Sequence, residues 1–401
     1  MREETEAVVI GGGPAGAATS IRLAQRGIAT ILVDYAAEPK WRACGVFSSP
    51  LSRRHLADLG LDAEMIRSLY RPISALNLES TRGVRCRIEY ERGHACGFDR
   101  PRLDAVLLDR ARAAGVDVRM ATTVRDVELA ARTSGGARLT VAPTAGNRGE
   151  TSVLRARVVI GAGGNGFVLP GTAPARRSML STWKSGLTFH RIDPSAAPER
   201  SPMEGRFVFG ERWYVGVAPV PSTRVNLGMV FPGSWLKRGT ESIARQIEAE
   251  LPGPPEPWMS APIADGYAIK GVLGHRVKRV SGPGWLVVGD ATGFIDPLTG
   301  EGLHRAFVSS ELAAEAVEQS LTGNRNALRD YDRHLRSRFR SKDVVSWVLQ
   351  GFLSQPQAFD YALRRLSRRR DLRRTLTLVL TDQVPATRAI DPRFLAKLLA
   401  P

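Results

Sequence analysis

The sequence predicts an α/β chain: a parallel sheet assembled from both ends of the core, an antiparallel sheet inserted between them, and a helical C-terminal region. Three observations predict it. Short apolar runs at 7–10, 29–33 and 286–288 lead into glycine or aspartate and read as buried parallel strands. Residues 179–231 alternate in short strands broken by Pro and Gly, the pattern of an antiparallel sheet. Beyond Ala327 the chain is mostly helical and dense in Arg.

In order along the chain, the strand at 7–10, an Ala-rich helix at 15–25 and the strand at 29–33 form one β-α-β unit closing on Asp34. Leu56, Leu59, Met65, Ile66 and Leu69 have helical spacing, and 73–90 alternates as strands. A helix at 101–114 buries Leu103, Val106 and Leu107 and stops at Gly115, before a strand at 116–120. Residues 139–141 and 153–160 read as a hairpin returning into the parallel sheet, with a loose loop at 144–151. A helix at 240–251 takes Thr240 as its cap, and another at 303–321 ends at Gly323. These elements divide the chain into a discontinuous unit (1–72, 98–172, 270–325), an inserted unit (73–97, 173–269) and a helical end (326–401).

Bulk properties narrow the setting. A length of 401 residues suffices for two intertwined domains, and 43% hydrophobic with 24% charged residues is ordinary for a globular chain. Cys44, Cys86 and Cys96 make neither a disulfide framework nor a Cys-x-x-Cys pair, so a reducing compartment and no metal site are expected. The polar start runs straight into a strand, leaving no room for a signal peptide, and the apolar run at 344–353 is too short to span a bilayer. A cytoplasmic location is the expectation. The net charge of +17 comes almost wholly from Arg, since only seven of 57 basic residues are Lys. Genome composition explains it as well as an acidic protein partner, an anionic substrate or peripheral membrane contact does. Nucleic acid is disfavoured, for no finger spacing, RNA-binding aromatic motif or basic zipper helix is present. Oligomeric state is not legible.

Two segments carry chemistry. The first is Gly11-Gly12-Gly13-Pro14-Ala15-Gly16, which follows a strand, opens a helix and leads to the acidic Asp34. Gly11 permits the turn, Gly13 lets a diphosphate approach the backbone, and Gly16 lets helix and sheet pack closely. The helix N-terminus offers free N–H groups to the anion. Asp34 suits ribose hydroxyls and repels a 2′-phosphate, so NADP is not the ligand of this turn. The second segment is Gly289-Asp290, followed by Pro297 and the turn Gly300-Glu301-Gly302-Leu303 that opens a helix. Asp290 suits polyol hydroxyls, and the helix start makes a second anion site fit for a reduced flavin.

Together these segments resemble the glutathione-reductase-type FAD proteins, which include aromatic hydroxylases, flavin halogenases and geranylgeranyl reductases. Arg100-x-x-Leu103-Asp104 at a helix start resembles that family's middle marker, whose Arg reaches the ribityl-diphosphate region. The resemblance covers roughly 7–320 and implies a Rossmann-like FAD-binding domain with an inserted substrate sheet. It also places Val124 among the cofactor contacts. The stretch Lys40 to Ser48, with Arg42, Cys44 and Gly45, resembles the Cys-Gly loop that lies near the flavin in geranylgeranyl reductases, and the tail from Val384 to Leu395 is similar to theirs.

Two departures stand out. Many hydroxylases and reductases carry Gly-Ala-Asp-Gly-x-x-Ser where this chain has Gly161-Ala162-Gly163-Gly164-Asn165-Gly166-Phe167, which puts direct, hydroxylase-style reduction by NAD(P)H in doubt. The stretch from Trp213 to Pro221 matches the reductases' aromatic segment only in part, and the halogenase Trp-x-Trp-x-Ile-Pro segment is absent. Candidate catalytic residues are Cys44, Trp213, Tyr214 and His304; Trp183, Lys184 and His190 are further groups of the inserted sheet. The reading put first is an FAD monooxygenase hydroxylating an electron-rich aromatic, free or on a peptide, with NAD(P)H or a separate reductase as electron donor. The alternatives are a reductase of isoprenoid double bonds and an electron-transfer flavoprotein docking on an acidic partner.

Overall fold

The computed structural model describes residues 2–44, 46–90, 94–129, 136–145, 151–169, 184–196, 198, 201–381 and 383–399. Gly45 and Trp183 lie outside them.

The first sheet runs Ser281–Gly282, Trp285–Val287, Ser152–Gly161, Arg2–Ile10, Thr30–Val33, Asp117–Arg119. All its neighbours are parallel except the first pair, and Val8 sits beside Ile31 on one side and Val159 on the other. Parallel sheets survive only with both faces covered. Accordingly Ala7, Val8, Val9, Leu32, Val159, Ile160 and Leu286 are wholly buried. Helices Pro14–Ala24 and Gly302–Leu321 pack together over it through small residues, including Ala17, Ala18, Ala313 and Ala314.

The second sheet runs Ala268–Lys270, Lys184–Ile192, Arg224–Pro232, Tyr214–Val220, Met203–Phe209, Tyr70–Ser80, Ala95–Phe98, Phe47–Ser48, with Arg85–Glu89 attached to Tyr70–Ser80. Side chains alternate between its faces. Leu187, Phe189, Val215, Val217, Leu227 and Met229 pack on Ile243, Ala244 and Ile247 of helix Thr240–Ala249. The register puts Thr188, His190, Gly228, Asn226, Gly216, Ala218, Tyr214, Phe207 and Phe209 on the opposite face. The C-terminal helices Ala327–Leu353, Pro356–Arg368, Arg370–Leu380 and Pro392–Leu399 follow, and Leu363, Leu366, Leu372 and Leu398 pack against Cys86 and Ile88 of the sheet. Among the described residues no helix is long and apolar enough to cross a membrane.

This is the predicted architecture, with local differences. The inserted sheet begins at Tyr70, not residue 73, and also takes Phe47–Ser48, because these strands pair with Ala95–Phe98. An unpredicted strand, Thr122–Leu129, pairs with Ala137–Pro143 to make a three-stranded antiparallel arm on Ser152–Gly161. Its run of exposed Arg125, Asp126 and Glu128 hid it from a hydrophobic reading. Thr240 is the first helical residue rather than the cap; Gly239 caps, at φ +83.

A Cβ at Gly16 would lie 1.8 Å from the carbonyl O of Gly11, against backbone that cannot swing aside. Gly16→Ala is therefore expected to cost about 3 kcal/mol or more, read as a lower urea midpoint. Gly13→Ala, with nothing within 4 Å of the new methyl, should leave the midpoint within about 1 kcal/mol of the parent.

Candidate active site

The first turn is built from backbone. Gly11 has φ +113, and a Cβ there would meet the carbonyl O of Ala162 at 2.6 Å. Gly12 N donates to Asp34 Oδ2 at 2.6 Å, and Ala36 N donates to Oδ1 at 2.8 Å, which fixes the buried carboxylate at the strand end. Gly13 faces open space, Pro14 holds the first helical position, and no side chain caps the helix start. The first N–H groups of that helix have no intrahelical acceptor, so an anion seats there. Arg42 Nη2 lies 3.9 Å from Asp34 Oδ1, with its guanidinium over the Tyr35 ring. Half-buried Val124 lies on the strand that begins where Thr122 N donates to the Asp34 carbonyl.

The second turn stands directly against the first. Gly289 has φ +62, and a Cβ there would strike the Ala15 Cβ at 2.6 Å; its N–H donates to Ser309 Oγ at 2.8 Å. Asp290 follows, its carboxylate taking no hydrogen bond from the described residues. Burial pushes its pKa up, while Arg305, Arg100 and Lys270 pull it down.

Arg100 opens helix Arg100–Ala113 and is enclosed with Cys44, Asp104 and Asp290. It donates to Cys44 Sγ and, at 3.3 Å, to Asp104 Oδ1. Burial opposes its charge, but Asp104, Cys44 and Asp290 outweigh burial and keep it protonated. Burial also raises the Cys44 thiol, against the pull of Arg100, so it is a neutral thiol and not an activated nucleophile. Thr188 Oγ1 donates to the Cys44 carbonyl at 3.3 Å, tying this loop to the inserted sheet.

Asp296 closes the second turn. It accepts from Leu298 N at 3.0 Å, from Lys184 Nζ at 3.1 Å and from the Tyr214 hydroxyl. Lys184 also donates to Gln350 of helix Ala327–Leu353. Pro297 starts the short turn after it; Gly300, at φ +65, lies against Phe47; Gly302 opens the next helix, and Leu303 is buried beneath it.

The structure thus brings together the two glycine turns, Asp34, Arg42, Cys44, Arg100, Asp290, Pro297 and Tyr214. It does not bring Trp213 or His304 to them. Trp213 directly precedes the strand Tyr214–Val220 and turns away from Tyr214: it packs in the outer cluster and donates to Glu250 Oε2 at 2.9 Å. His304 points between helices toward His55 and Phe339. Gly163 has a steric reason: a Cβ there would lie 2.2 Å from the Phe167 ring. Tyr90 and Asp265, which pairs with His190 (Nδ1 to Oδ2, 2.6 Å), were not found as site groups from sequence, since isolated residues on separate elements leave no spacing to read.

Residues 4–202 match the family model described as FAD binding domain. A tryptophan 2-halogenase of Chondromyces crocatus is 23% identical over 80% of this chain, which spans 63% of that protein's length. A digeranylgeranylglycerophospholipid reductase of Thermoplasma acidophilum is 24% identical, over 86% of this chain and 87% of the reductase. Among solved structures, a flavoprotein/dehydrogenase of Cytophaga hutchinsonii superposes with TM-score 0.79, 21% identity and coverage of 94% and 93%. A geranylgeranyl bacteriochlorophyll reductase-like protein of Thermoplasma acidophilum gives 0.74, 20% identity and coverage of 100% and 96%. A halogenase in complex with FAD gives 0.73, 20% identity and coverage of 99% and 86%.

Over residues 4–202 the chain is an FAD binding domain, and FAD is its cofactor. Its residues fit the cofactor: the open cradle at Gly13 would take the diphosphate, Asp34 the adenosine ribose, and the Asp290 carboxylate, which takes no hydrogen bond from the described residues, the polyol. The start of helix Gly302–Leu321, which has no side-chain cap, would favour an anionic edge of the reduced ring. Bound there, FAD supplies two-electron chemistry.

Removing Arg100 leaves the Asp104 carboxylate buried and unpaired, a loss of about 3–5 kcal/mol. Arg100→Ala should lower the urea midpoint and weaken FAD binding at least tenfold in a flavin-fluorescence titration. For His304, burial first, then Lys342 and His55, push the pKa down to about 2. The unfolded residue takes its proton near 6.5, so stability falls as pH drops below about 6.5. The fall from this residue is up to about 1.4 kcal/mol per pH unit. The urea midpoint should decline from pH 7 to 5, and His304→Leu should flatten that decline.

Proposed function

We propose that the chain is an FAD-dependent reductase that saturates carbon–carbon double bonds of an apolar, isoprenoid-type substrate. The observation that carries this is an aromatic seam between the inserted sheet and the C-terminal helices. One apolar cluster joins Phe209 and Tyr214 to Phe294 and Leu298 of the flavin turn. A second joins Tyr90, Phe47 and Phe352 to leucines of the C-terminal helices. The two share Leu78, Phe207 and Phe359, so apolar surface runs unbroken from the flavin turn to the helical cap. Such a seam suits an extended hydrocarbon and excludes water from the reacting carbons. Extent of match points the same way: the reductase relative aligns over 87% of its length and the halogenase over 63%.

Saturation requires a hydride, which reduced FAD supplies, and a proton on the second carbon. We assign the proton to Tyr90. Its hydroxyl is buried, has no hydrogen-bond partner among the described residues, and burial raises its pKa so that it stays protonated. Its ring lies 6.3 Å from Phe47, which itself abuts Gly300. Tyr214 is held through Asp296 and positions the turn. With Phe167 filling the space over Gly163, we read a separate reductase rather than docked NAD(P)H as the electron source.

Aromatic hydroxylation is the second reading, because stacked walls such as Phe207 and Phe209, 6.1 Å apart, also suit an aromatic ring. The deciding experiment uses FAD-loaded protein reduced with dithionite under argon. A polyprenyl lipid gaining two hydrogens per double bond supports the reductase. No saturation under argon, with oxygen incorporated into a phenol once air is admitted, would replace it with the hydroxylase. Tyr90→Phe is expected to lower kcat for saturation by about 100-fold with unchanged FAD affinity; equal kcat would remove Tyr90 from proton transfer.

A further inference from the structure

The arginine run at 364–374, with seven Arg in eleven residues, takes no part in the flavin site. Its second half forms the start of helix Arg370–Leu380, which lies beside the strand Arg85–Glu89. Between helix and strand is a cavity of about 610 Å³, set into the surface. Five arginines line it: Arg85, Arg87, Arg370, Arg373 and Arg374. Among the described residues only two carboxylates do, and each is already engaged by arginine: Glu79 by Arg206 and Arg85, Glu89 by Arg87.

We propose that this cavity binds a phosphate-bearing ligand. Like charges gathered in one concavity repel, and an anion that offers several oxygens relieves the repulsion through charge-assisted, forked hydrogen bonds. The guanidinium of Arg373 is already oriented. Its Nη1 donates to the carbonyls of Leu366 and Ser367, at 2.9 and 2.5 Å, which anchors it at the end of the preceding helix. Thr377, Ser367 and Asn77 add neutral donors at the wall. The helix start carries no side-chain cap, so its N–H groups and dipole add to the field on this side.

The cavity also touches the apolar seam. Leu78 lines the cavity and packs in the cluster with Phe294 and Leu298 of the flavin turn. A phosphate held here therefore sits one leucine away from that seam. Its source is either the head of an amphiphile whose chain enters the seam or a free phosphorylated compound. The first source rests on the reductase reading; the anion site itself does not.

The test uses FAD-loaded protein, so that the dinucleotide turn is filled, and inorganic pyrophosphate as probe in a calorimetric titration. One saturable site is expected, weakened at least tenfold in Arg370→Ala/Arg374→Ala with flavin content and urea midpoint unchanged. The same loss in Arg364→Ala/Arg368→Ala, exposed and outside the cavity, would reduce the effect to general surface charge and overturn the site. So would an absence of saturable binding, or a double variant that binds as the parent does. Sedimentation with phosphatidylglycerol vesicles separates the sources. Retention abolished by pyrophosphate assigns a lipid head group; pyrophosphate binding without retention assigns a soluble phosphate compound. Because binding is read without turnover, absence of double-bond reduction leaves the result standing.

Discussion

Everything in the molecule rests on backbone meeting backbone at two glycine turns. Gly16 approaches the Gly11 carbonyl more closely than any Cβ allows, and Gly289 does the same to Ala15. These contacts bring helices Pro14–Ala24 and Gly302–Leu321 side by side with their N-termini at one edge of the parallel sheet. Each contributes free N–H groups and a positive dipole end. A single extended dinucleotide with a diphosphate at one end and an anionic ring at the other is what that pair of termini fits. No substitution that adds a side chain at Gly16 or Gly289 preserves the spacing, because backbone and a neighbouring Cβ, not flexible side-chain tips, occupy the space.

The electrostatics of the site follow from that closeness. Arg100, Cys44, Asp104 and Asp290 come from three distant segments and share one largely buried region. Burial works against every charge there, so the set is held by mutual compensation rather than by solvent. The cationic Arg100 is the central member, since the Asp104 and Asp290 carboxylates lose a counter-charge without it. The same region shows why Cys44 is a spectator in acid–base terms: burial outweighs the pull of Arg100 on its thiol.

Much of this was legible in the sequence because it is local. The β-α-β unit, the glycine turn, Asp34 and the Gly289-Asp290 segment each lie within a few residues of a strand end, where spacing and residue type determine geometry. What stayed hidden is set by tertiary contact. Trp213 and Tyr214 are equally aromatic in sequence, and only their places in the fold, one just before the strand and one as its first residue, decide that Tyr214 meets Asp296 while Trp213 meets Glu250. His304 follows the glycine turn directly, yet the helix turns it toward His55 and Phe339. The replacement of Asp by Gly163 looked like a lost ligand. It is also half of a steric exchange, since the Phe167 ring requires that no side chain stand at 163.

Asp296 shows that the C-terminal helices belong to the site rather than trailing behind it. One buried carboxylate receives Tyr214 and Lys184 from the inserted sheet and the backbone of Leu298 from the flavin turn, and Lys184 passes the connection to Gln350 on helix Ala327–Leu353. A buried carboxylate with this many donors has little freedom, and every donor it holds shares that restriction. The helical region can therefore shift against the sheet only by disturbing the turn that carries Pro297. Apolar contacts repeat the coupling, for Phe359 of the next helix touches both clusters of the seam. The surfaces of sheet and helices are thus mechanically joined to the flavin turn, so the position of the helices and the geometry of that turn are linked by construction.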